Sequence, residues 1–258
     1  MRASCEQAVV LGLPAIAFTE HVDHTVWRVA MAGLEPDHHL ARMSENGLLH
    51  PPAFDAAGYL AEVEECRMRY PALRILSGVE LGEPHRHAPA VTQVLAAGSF
   101  DRVLGSLHSL PDGVEYAEPT GLFEHRPAGQ VLRDYLTEVA TLAVSTALFE
   151  VLAHIDYPVR SWPESAGSFD PSDFEDEFRH ALRETAKSGR ALEVSTKVSL
   201  HGVILRWWRE EGGEAINFGS DAHDADSIAR GFSEAAHMAD AHGFGTGRLP
   251  HDLWERKD

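Results

Sequence analysis

The chain has 258 residues, of which 40 are acidic and 22 are basic, giving a formal net charge of −18. This charge excludes a general binder of nucleic-acid backbones, which needs a basic surface. An anionic substrate would have to be held by local positive charge, such as metal ions. Hydrophobic residues make up 44% of the chain, which is enough for a large buried core.

Neither the cysteines nor the apolar runs indicate a secreted or membrane protein. Cys5 and Cys66 are too few for a disulfide framework or a cysteine-rich zinc module. The apolar run over residues 8–18 is broken by Gly12 and Pro14, so it predicts neither a signal peptide nor a membrane span. We therefore expect a cytoplasmic protein with buried thiols and no membrane or nucleic-acid partner.

Helical and strand patterns alternate along most of the chain. In chain order they predict helix 5–11 capped by Ser4, strand 14–18, helix 55–70, strand 74–81, helix 87–97, strand 102–108, helix 129–148, strand 149–153, helix 171–188, strand 191–194, helix 201–211, strand 215–218 and helix 227–242. Residues 22–52 and 109–128 are predicted as polar loops, and loops as long as the first are uncommon without a function.

Strands that alternate with helices pair in parallel, which predicts an α/β fold of the barrel type. Such barrels occupy about 200 to 250 residues as one unit. We expect a single barrel domain over residues 1–245 and a loosely held tail over residues 246–258.

Side chains that bind metals stand at the carboxyl ends of five of the six predicted strands. They are His21, Glu80, His108, His154 and the pair Asp221 and His223. Catalytic groups of α/β barrels lie at these strand ends. One histidine there is more often a hydrogen-bonded rim residue than a ligand, but five such ends predict a polynuclear metal site. Mixed oxygen and nitrogen ligands suit zinc, manganese or iron better than calcium or magnesium.

Five segments of this sequence resemble, in order, the motifs of the polymerase and histidinol phosphatase (PHP) family of metal-dependent phosphoesterases, in its histidinol-phosphatase branch. The segments are residues 19–21, 78–80, 105–108, 152–154 and 219–223. The resemblance implies a distorted seven-stranded, TIM-like barrel with up to three metal ions at the carboxyl-end rim. It also implies the metal assignments: Glu80 bridges two metals, His108 and His154 complete one of these, Asp221 belongs to the first metal, and His21 and His223 belong to the third.

Two features depart from the family pattern. The family begins with a strand that ends in His-x-His, and no such strand stands near the start of this chain, so the first metal would keep only Glu80 and Asp221. We therefore expect Met1 to be an internal start, with a further strand before Ser4 in a longer form of the protein. In addition, Ser195 stands where asparagine is usual in the histidinol-phosphatase branch.

Cationic side chains that follow predicted strands are candidates for holding a phosphate ester. They are Arg160, Lys197 and Arg206, and Arg160 is the first choice because it follows His154 on one loop. For each of them, a solvated surface charge is an equally good interpretation. His24 is a candidate to support the metal ligands or to donate a proton to the leaving group, unless it is an ordinary loop histidine.

The sequence therefore favours a metal-dependent phosphomonoesterase that acts on a small phosphorylated metabolite, with L-histidinol phosphate as the first compound to test. In that reaction a metal-activated water attacks phosphorus in line. Two alternatives remain open: an amidohydrolase-like enzyme, and a truncated or degenerate barrel with weak or no activity. Amidohydrolase-like sites commonly bridge metals with a modified lysine, whereas Glu80 is the bridging candidate here. The sequence leaves the metal's identity and the oligomeric state open.

Overall fold

A computed structural model of the chain describes residues 1–30 and 44–257. Part of the predicted loop 22–52 lies outside these described residues. The α-helices are α1 (Arg2–Val10), α2 (Ala56–Arg69), α3 (Ala88–Ala96), α4 (Pro119–Leu122), α5 (Ala128–Val144), α6 (Glu175–Lys187), α7 (Gly202–Glu210) and α8 (Phe232–Ala241). Short 3-10 helices span Tyr157–Ser161, Glu164–Ala166, Pro171–Phe174 and Ala225–Ser227.

The strands of the described residues form two sheets. They are β1 (Ala15–Val22), β2 (Trp27–Arg28), β3 (Ser44–Glu45), β4 (Leu48–Leu49), β5 (Arg74–Gly82), β6 (Arg102–Ser106), β7 (Leu110–Asp112), β8 (Glu115–Ala117), β9 (Val151–Leu152), β10 (Ala191–Ser195), β11 (Ala215–Gly219), β12 (Phe244–Gly245) and β13 (Trp254–Arg256). The main sheet has eight strands in the order β1-β5-β6-β9-β10-β11-β13-β12.

The first six strands of that order are parallel, and β13 joins β11 in the antiparallel sense. Parallel pairing brings the carboxyl ends of β1, β5, β6, β9, β10 and β11 to one rim. The register places His21 of β1 directly beside Glu80 of β5. The alternation of strands and helices in the sequence therefore predicted both the α/β class and the edge at which the candidate ligands meet.

The strand pairing of the described residues does not close the main sheet into a seven-stranded barrel. The main sheet is mixed, and among the described residues no ladder joins β1 to β11 or β13. A cleft of about 600 Å³ lies between these strands, lined by Ala17 and Phe18 from one side and Ile216 and Phe218 from the other. The further strand expected before Ser4 stays a prediction.

A second, smaller sheet forms over the rim from the two segments predicted as polar loops. Its order is β3-β4-β2-β8-β7, and Arg28 of β2 pairs with Ala117 of β8. The Arg28 guanidinium also donates two hydrogen bonds, of 2.8 and 2.6 Å, to Glu115 Oε2. The prediction of plain loops was wrong because β2, β3 and β4 have two residues each, too few to give a periodic pattern.

The hydrophobic core lies between the main sheet and its helices. Helix α5 buries the apolar positions 131, 132, 135, 136 and 139, the spacing that puts side chains on one helical face. Trp207 and Trp208 of α7 are both almost fully buried. Among the described residues, no helix has the length and apolar run that a bilayer crossing requires.

Several predicted boundaries shift for identifiable reasons. Helix α1 begins at Arg2, so Ser4 lies inside the helix and does not cap it. Helix α8 begins at Phe232 because Ala229 and Gly231, with φ of 54° and 72°, interrupt the predicted helix 227–242. Strand β1 continues to Val22, so His21 lies within the strand.

The tail expected to be loosely held is attached to the main sheet at β13. Glu255 and Trp254 pair with Ala215 and Ile216 of β11. The Trp254 ring also packs edge-on against Phe218, with ring centroids 5.0 Å apart. Residues Trp254–Arg256 are therefore fixed to the main sheet by strand pairing on both sides, and the predicted domain boundary at residue 246 stays a prediction.

Candidate metal centre

Glu80, His108 and His154 converge at the rim from three neighbouring parallel strands. Glu80 Oε1 lies 2.8 Å from His154 Nε2 and 3.1 Å from His108 Nε2. One ligand atom from each of the three residues lies within 4.8 Å of the others, and all three residues are buried. Two imidazole nitrogens directed at one carboxylate, away from water, make this the most enclosed of the candidate metal groups.

A second group consists of His21, Asp23 and His108. Asp23 Oδ1 lies 3.1 Å from His108 Nδ1, and Asp23 Oδ2 lies 3.6 Å from His21 Nδ1. The His108 ring therefore faces Glu80 with one nitrogen and Asp23 with the other. Asp23 was not predicted as a ligand, although its place two residues after His21 in an extended segment was an available signal.

A third group consists of His21, Asp221 and His223. His223 Nδ1 lies 3.6 Å from Asp221 Oδ1, and the rings of His21 and His223 are 5.5 Å apart. This group is open to solvent, since 57% of the His223 side chain is exposed. The family resemblance placed Asp221 with the first metal, whereas the structure groups it with the two histidines assigned to the third. The first and second groups share His108, and the second and third share His21.

Three residues at strand ends hold left-handed backbone conformations that side chains other than glycine rarely adopt. They are Glu83 with φ of 44°, His154 with φ of 20° and Asp221 with φ of 47°. Such conformations cost free energy and cluster at functional sites. The strained backbone at these three positions is therefore a second indication that this rim is the functional site.

The charges of the innermost group depend on one another. Burial alone would raise the pKa of Glu80, but the charge of His21 and hydrogen bonds from His108 and His154 hold it well below its ordinary value. Burial alone would lower the pKa of His108, but Asp23 and Glu80 raise it well above its ordinary value. Ligand groups must lose their protons to bind a metal, so a cation here would replace the His108 proton.

A further carboxylate, Glu193 of β10, lies beneath these groups. Burial, together with repulsion from Glu80 and Asp221, raises the pKa of Glu193 to about 8. The main-chain N–H of His154 donates to Glu193 Oε1 at 3.4 Å. Sequence reasoning missed this residue, although a lone acidic side chain in an otherwise apolar strand was the available signal. Bound cations at the rim would relieve this repulsion between Glu193, Glu80 and Asp221.

Arg160 is a cationic side chain brought to this rim. Its Nη1 donates to Asp221 Oδ2 at 2.5 Å, and its guanidinium lies 4.9 Å from the centre of the Tyr157 ring. Its other terminal nitrogen, Nη2, is buried without a hydrogen-bond partner among the described residues. Arg160 is thus held by two neighbours and keeps donors available for an anion.

Of the other predicted substrate-binding residues, the structure brings two to the rim and leaves one away from it. Lys197 lies at the rim, where its exposed Nζ donates to the main-chain oxygen of Asp221 at 3.4 Å. His24 is also near the rim, with Nε2 buried and unpaired among the described residues. Arg206 is not brought to the site, because it lies on the outer surface of α7 with Nε 3.8 Å from Glu210 Oε1. Helix α7 buries the apolar positions 204, 205, 207 and 208, and this pattern was an available signal that Arg206 faces outward.

The donor set fits a divalent metal ion. Glu80, His108 and His154 supply one oxygen and two nitrogen ligands with little access to water. Zinc, manganese and iron accept such mixed ligands, whereas calcium and magnesium prefer oxygen alone. The structure therefore supports divalent metal binding at this rim.

Comparison with known proteins agrees with the fold and the rim. A family model described as PHP domain matches residues 1–197. The chain belongs to the PHP domain family. This confirms the resemblance seen in the sequence motifs, although the motif that carries Asp221 and His223 lies beyond the matched residues.

Similar proteins of this family are histidinol-phosphatases by name. The chain is 22% identical to the histidinol-phosphatase of Lactococcus lactis over 232 residues, which cover 87% of this chain and 78% of that protein. It is 27% identical over 194 residues to a protein of Clostridium acetobutylicum named probable histidinol-phosphatase, covering 72% and 74% of the two chains.

A solved PHP-type structure has the same fold. It is the crystal structure of the Lactococcus lactis histidinol phosphate phosphatase complexed with zinc, L-histidinol and phosphate. The two structures superpose with a TM-score of 0.73 at 20% sequence identity, covering 94% of this chain and 87% of that one. At this level of identity the likeness concerns the fold.

Proposed function

We propose that this protein is a histidinol-phosphatase-like, metal-dependent phosphomonoesterase acting on a small phosphorylated metabolite, with L-histidinol phosphate as the first candidate substrate. The observation that carries the proposal is the buried group of Glu80, His108 and His154 at a rim that also holds Arg160, whose Nη2 has no partner among the described residues. The names of similar proteins support the choice of substrate.

Glu80, His108 and His154 would hold one ion, and His21 would share in holding others with the remaining carboxylates and His223. Divalent ions, when bound, lower the pKa of water and neutralise charge on phosphate oxygens. The protein's own contribution is to fix these ligands. The buried Glu80 stays ionised, and the register of β1 against β5 keeps His21 beside it.

Arg160 would hold the phosphate group of the substrate. Arginine recognises phosphate through paired N–H donors, and Asp221 keeps the guanidinium in one orientation. Lys197, which contacts the main chain at Asp221, would add a second positive charge from the solvent side. These two cations lie where the overall negative charge of the chain would otherwise repel an anionic substrate.

The leaving alkoxide of a phosphate monoester needs a proton, and an imidazole can supply it near neutral pH. We assign this step to His24, because its Nε2 is buried without a hydrogen-bond partner among the described residues. It also follows Asp23 directly in the chain.

We also propose that the main sheet is a distorted barrel. The supporting observation is that β1 and β11, which lie far apart in the strand order, line the same cleft. The six parallel strands therefore curve far enough to bring β1 opposite β11.

The experiment combines elemental analysis with substrate panels. Purified protein, loaded in turn with zinc, manganese or iron, would be offered L-histidinol phosphate, other phosphate monoesters and amide substrates. We expect bound metal and release of phosphate from L-histidinol phosphate, with metal-depleted protein as the inactive control. Turnover of other phosphate esters alone would refute the substrate but not the reaction class. Amide hydrolysis would favour the amidohydrolase-like alternative, and metal binding without turnover a degenerate barrel.

A further inference from the structure

We propose that Glu83 is a positioning residue of the metal centre: its carboxylate fixes the main chain that carries His108 and ties it to Thr25 and His87. This role rests on the proposed metal-dependent function. Glu83 is not a member of any of the three candidate metal groups. Its contribution would be to the orientation of a ligand, not to the binding of the ion itself.

The first argument is the set of hydrogen bonds between Glu83 and the end of β6. Glu83 Oε1 accepts the main-chain N–H of His108 at 2.7 Å and that of Ser109 at 2.9 Å. The main-chain N–H of Glu83 donates in turn to the carbonyl of Ser106 at 2.9 Å. The side chain is only 1% exposed, so these bonds are shielded from water. One carboxylate oxygen thus fixes two successive peptide groups at the point where the His108 side chain leaves the backbone.

The second argument is the backbone conformation of Glu83 itself. Its φ of 44° lies in the left-handed region, where glycine would be the residue of lowest cost. A glycine does occur one position earlier, where a Cβ at Gly82 would lie 1.9 Å from Asp23 Oδ1. Gly82 therefore leaves room for Asp23, whereas the strained next position carries a glutamate although glycine would cost less there.

The third argument is that the same carboxylate connects three strand ends. Thr25 Oγ1 donates to Glu83 Oε2 at 2.7 Å and lies 2.9 Å from His87 Nε2. Since the Thr25 hydroxyl has one proton, which goes to Glu83, it accepts a hydrogen bond from a protonated His87 Nε2. The segments that follow β1, β5 and β6 are thereby linked by one buried network.

This network matters because His108 faces two groups at once. Its Nε2 lies 3.1 Å from Glu80 Oε1 and its Nδ1 lies 3.1 Å from Asp23 Oδ1. A ring that serves both neighbours tolerates little rotation of its backbone. Residues that orient metal ligands without touching the metal are worth about 10- to 100-fold in metal affinity or activity.

The chain offers a matched control at the opposite end of β6. Asp101 is also a carboxylate that accepts a main-chain N–H, that of Ser77, at 2.9 Å, and it pairs with Arg67 at 2.7 Å. It lies at the amino end of the strand and is in none of the candidate metal groups. Removing it should destabilise the fold without changing the orientation of His108.

The test compares Glu83→Ala, Glu83→Gln, Thr25→Val and Asp101→Ala in the full chain. Zinc affinity would be measured by competition with a chromophoric chelator, the ligand field by the absorption spectrum of the cobalt-loaded protein, and stability by melting temperature. We expect Glu83→Ala to weaken zinc binding about 10- to 100-fold and to change the cobalt spectrum. Asp101→Ala should lower the melting temperature but leave zinc affinity within about twofold, since it lies outside the network.

Glu83→Gln is the conservative variant, because its amide oxygen can still accept both main-chain N–H groups. We expect it to restore most of the zinc affinity, and Thr25→Val to cause a smaller loss than Glu83→Ala. If Glu83→Ala does not fold, unchanged zinc affinity and cobalt spectrum in Thr25→Val overturn the role. The same holds if Glu83→Ala binds zinc as the unaltered protein does. Failure of the unaltered protein to bind zinc would instead overturn the metal centre, and this role with it.

Discussion

The amino ends and the carboxyl ends of the parallel strands differ in how their polar groups are satisfied. At the amino ends, Arg190 donates to the carbonyls that surround the end of α5 and the start of β9. Arg102 pairs with Glu150, and Asp101 accepts both N–H and hydroxyl hydrogen bonds from Ser77. These contacts join neighbouring strands to one another and to the end of α5, so the polar groups are satisfied within the protein itself.

At the carboxyl ends, buried polar atoms remain without partners. Of the eight such side-chain atoms among the described residues, seven lie at or shortly after strand ends: His24 Nε2, His85 Nδ1, Ser109 Oγ, His154 Nδ1, Asp156 Oδ2, Arg160 Nη2 and Ser195 Oγ. An unpaired buried polar group costs about 1 to 3 kcal/mol. The comparison teaches that one end of the sheet stabilises the fold, while the other is prepared for ions and a polar substrate at some cost in stability.

The largest effect that would test this comparison is expected at Glu80. Glu80→Ala should remove the carboxylate that two buried histidines share, so bound metal and phosphatase activity should both fall, activity by more than about 100-fold. Elemental analysis and phosphate release measure the two losses. Glu150→Ala, at the amino end, is the control and should keep both. Unchanged metal content in Glu80→Ala would contradict the assignment of the centre.

The next largest effect is expected at Arg160, which the sequence ranked ahead of Arg206. Arg160→Ala should lower kcat/KM for a phosphate monoester about 10- to 100-fold, the value of a hydrogen bond to a charged group. Arg206→Ala should stay within about twofold of the unaltered protein, because an exposed ion pair on a helix contributes little. Steady-state kinetics on both variants measure the difference. Equal losses would mean that the outer face of α7 takes part in substrate binding.

A smaller effect is expected at the exposed part of the rim. His223→Ala should release metal from the group it shares with Asp221 but leave the ion held by Glu80, because 57% of the His223 side chain already faces solvent. We expect an activity loss of about tenfold or less. Metal stoichiometry before and after mild chelation checks this prediction. Loss of all metal from His223→Ala would show that the exposed and buried groups cannot be separated.

The smallest effect is expected at the amino end and depends on pH. Burial alone would raise the pKa of Asp101, but hydrogen bonds from Ser77 and the charge of Arg67 lower it below its ordinary value. A carboxyl whose pKa is lowered on folding stabilises the protein above its unfolded pKa of about 4, and this stabilisation is lost as the pH falls through the folded pKa. Asp101→Asn should therefore cost at most about 1 kcal/mol at pH 7, given its partial exposure. Urea unfolding should show a smaller difference at pH 3.

Much of the fold and of the candidate site follows from the sequence because parallel strands end at one edge. A ligand type at the end of five of the six predicted strands was enough to predict that Glu80, His108 and His154 would meet at one rim. The metal assignments themselves came from the family resemblance, and the site roles of these residues stay predictions.

The rest depends on contacts between residues distant in the chain. Glu83 is recognisable only once Thr25, 58 positions earlier, is seen to bond to it. Asp23 gains its place from His108, 85 positions later. Arg206 differs, because the apolar pattern of its helix already indicated that it faces outward. The contacts of Glu83 leave no local pattern, and Asp23 is marked only by its place two residues after His21.

The small sheet over the rim has a consequence for the order in which this protein folds. Its contact between Arg28 and Glu115 joins residues 87 positions apart, and closing so long a loop must precede any gain from the contact. The strands that carry Glu80 and His108 are closer in sequence and deeper in the core. We therefore expect β5 and β6 to pair before the small sheet forms, and the small sheet to show the faster hydrogen exchange in the native protein. Two of the candidate ligands, Glu80 and His108, would then be side by side before the segments of the small sheet are fixed.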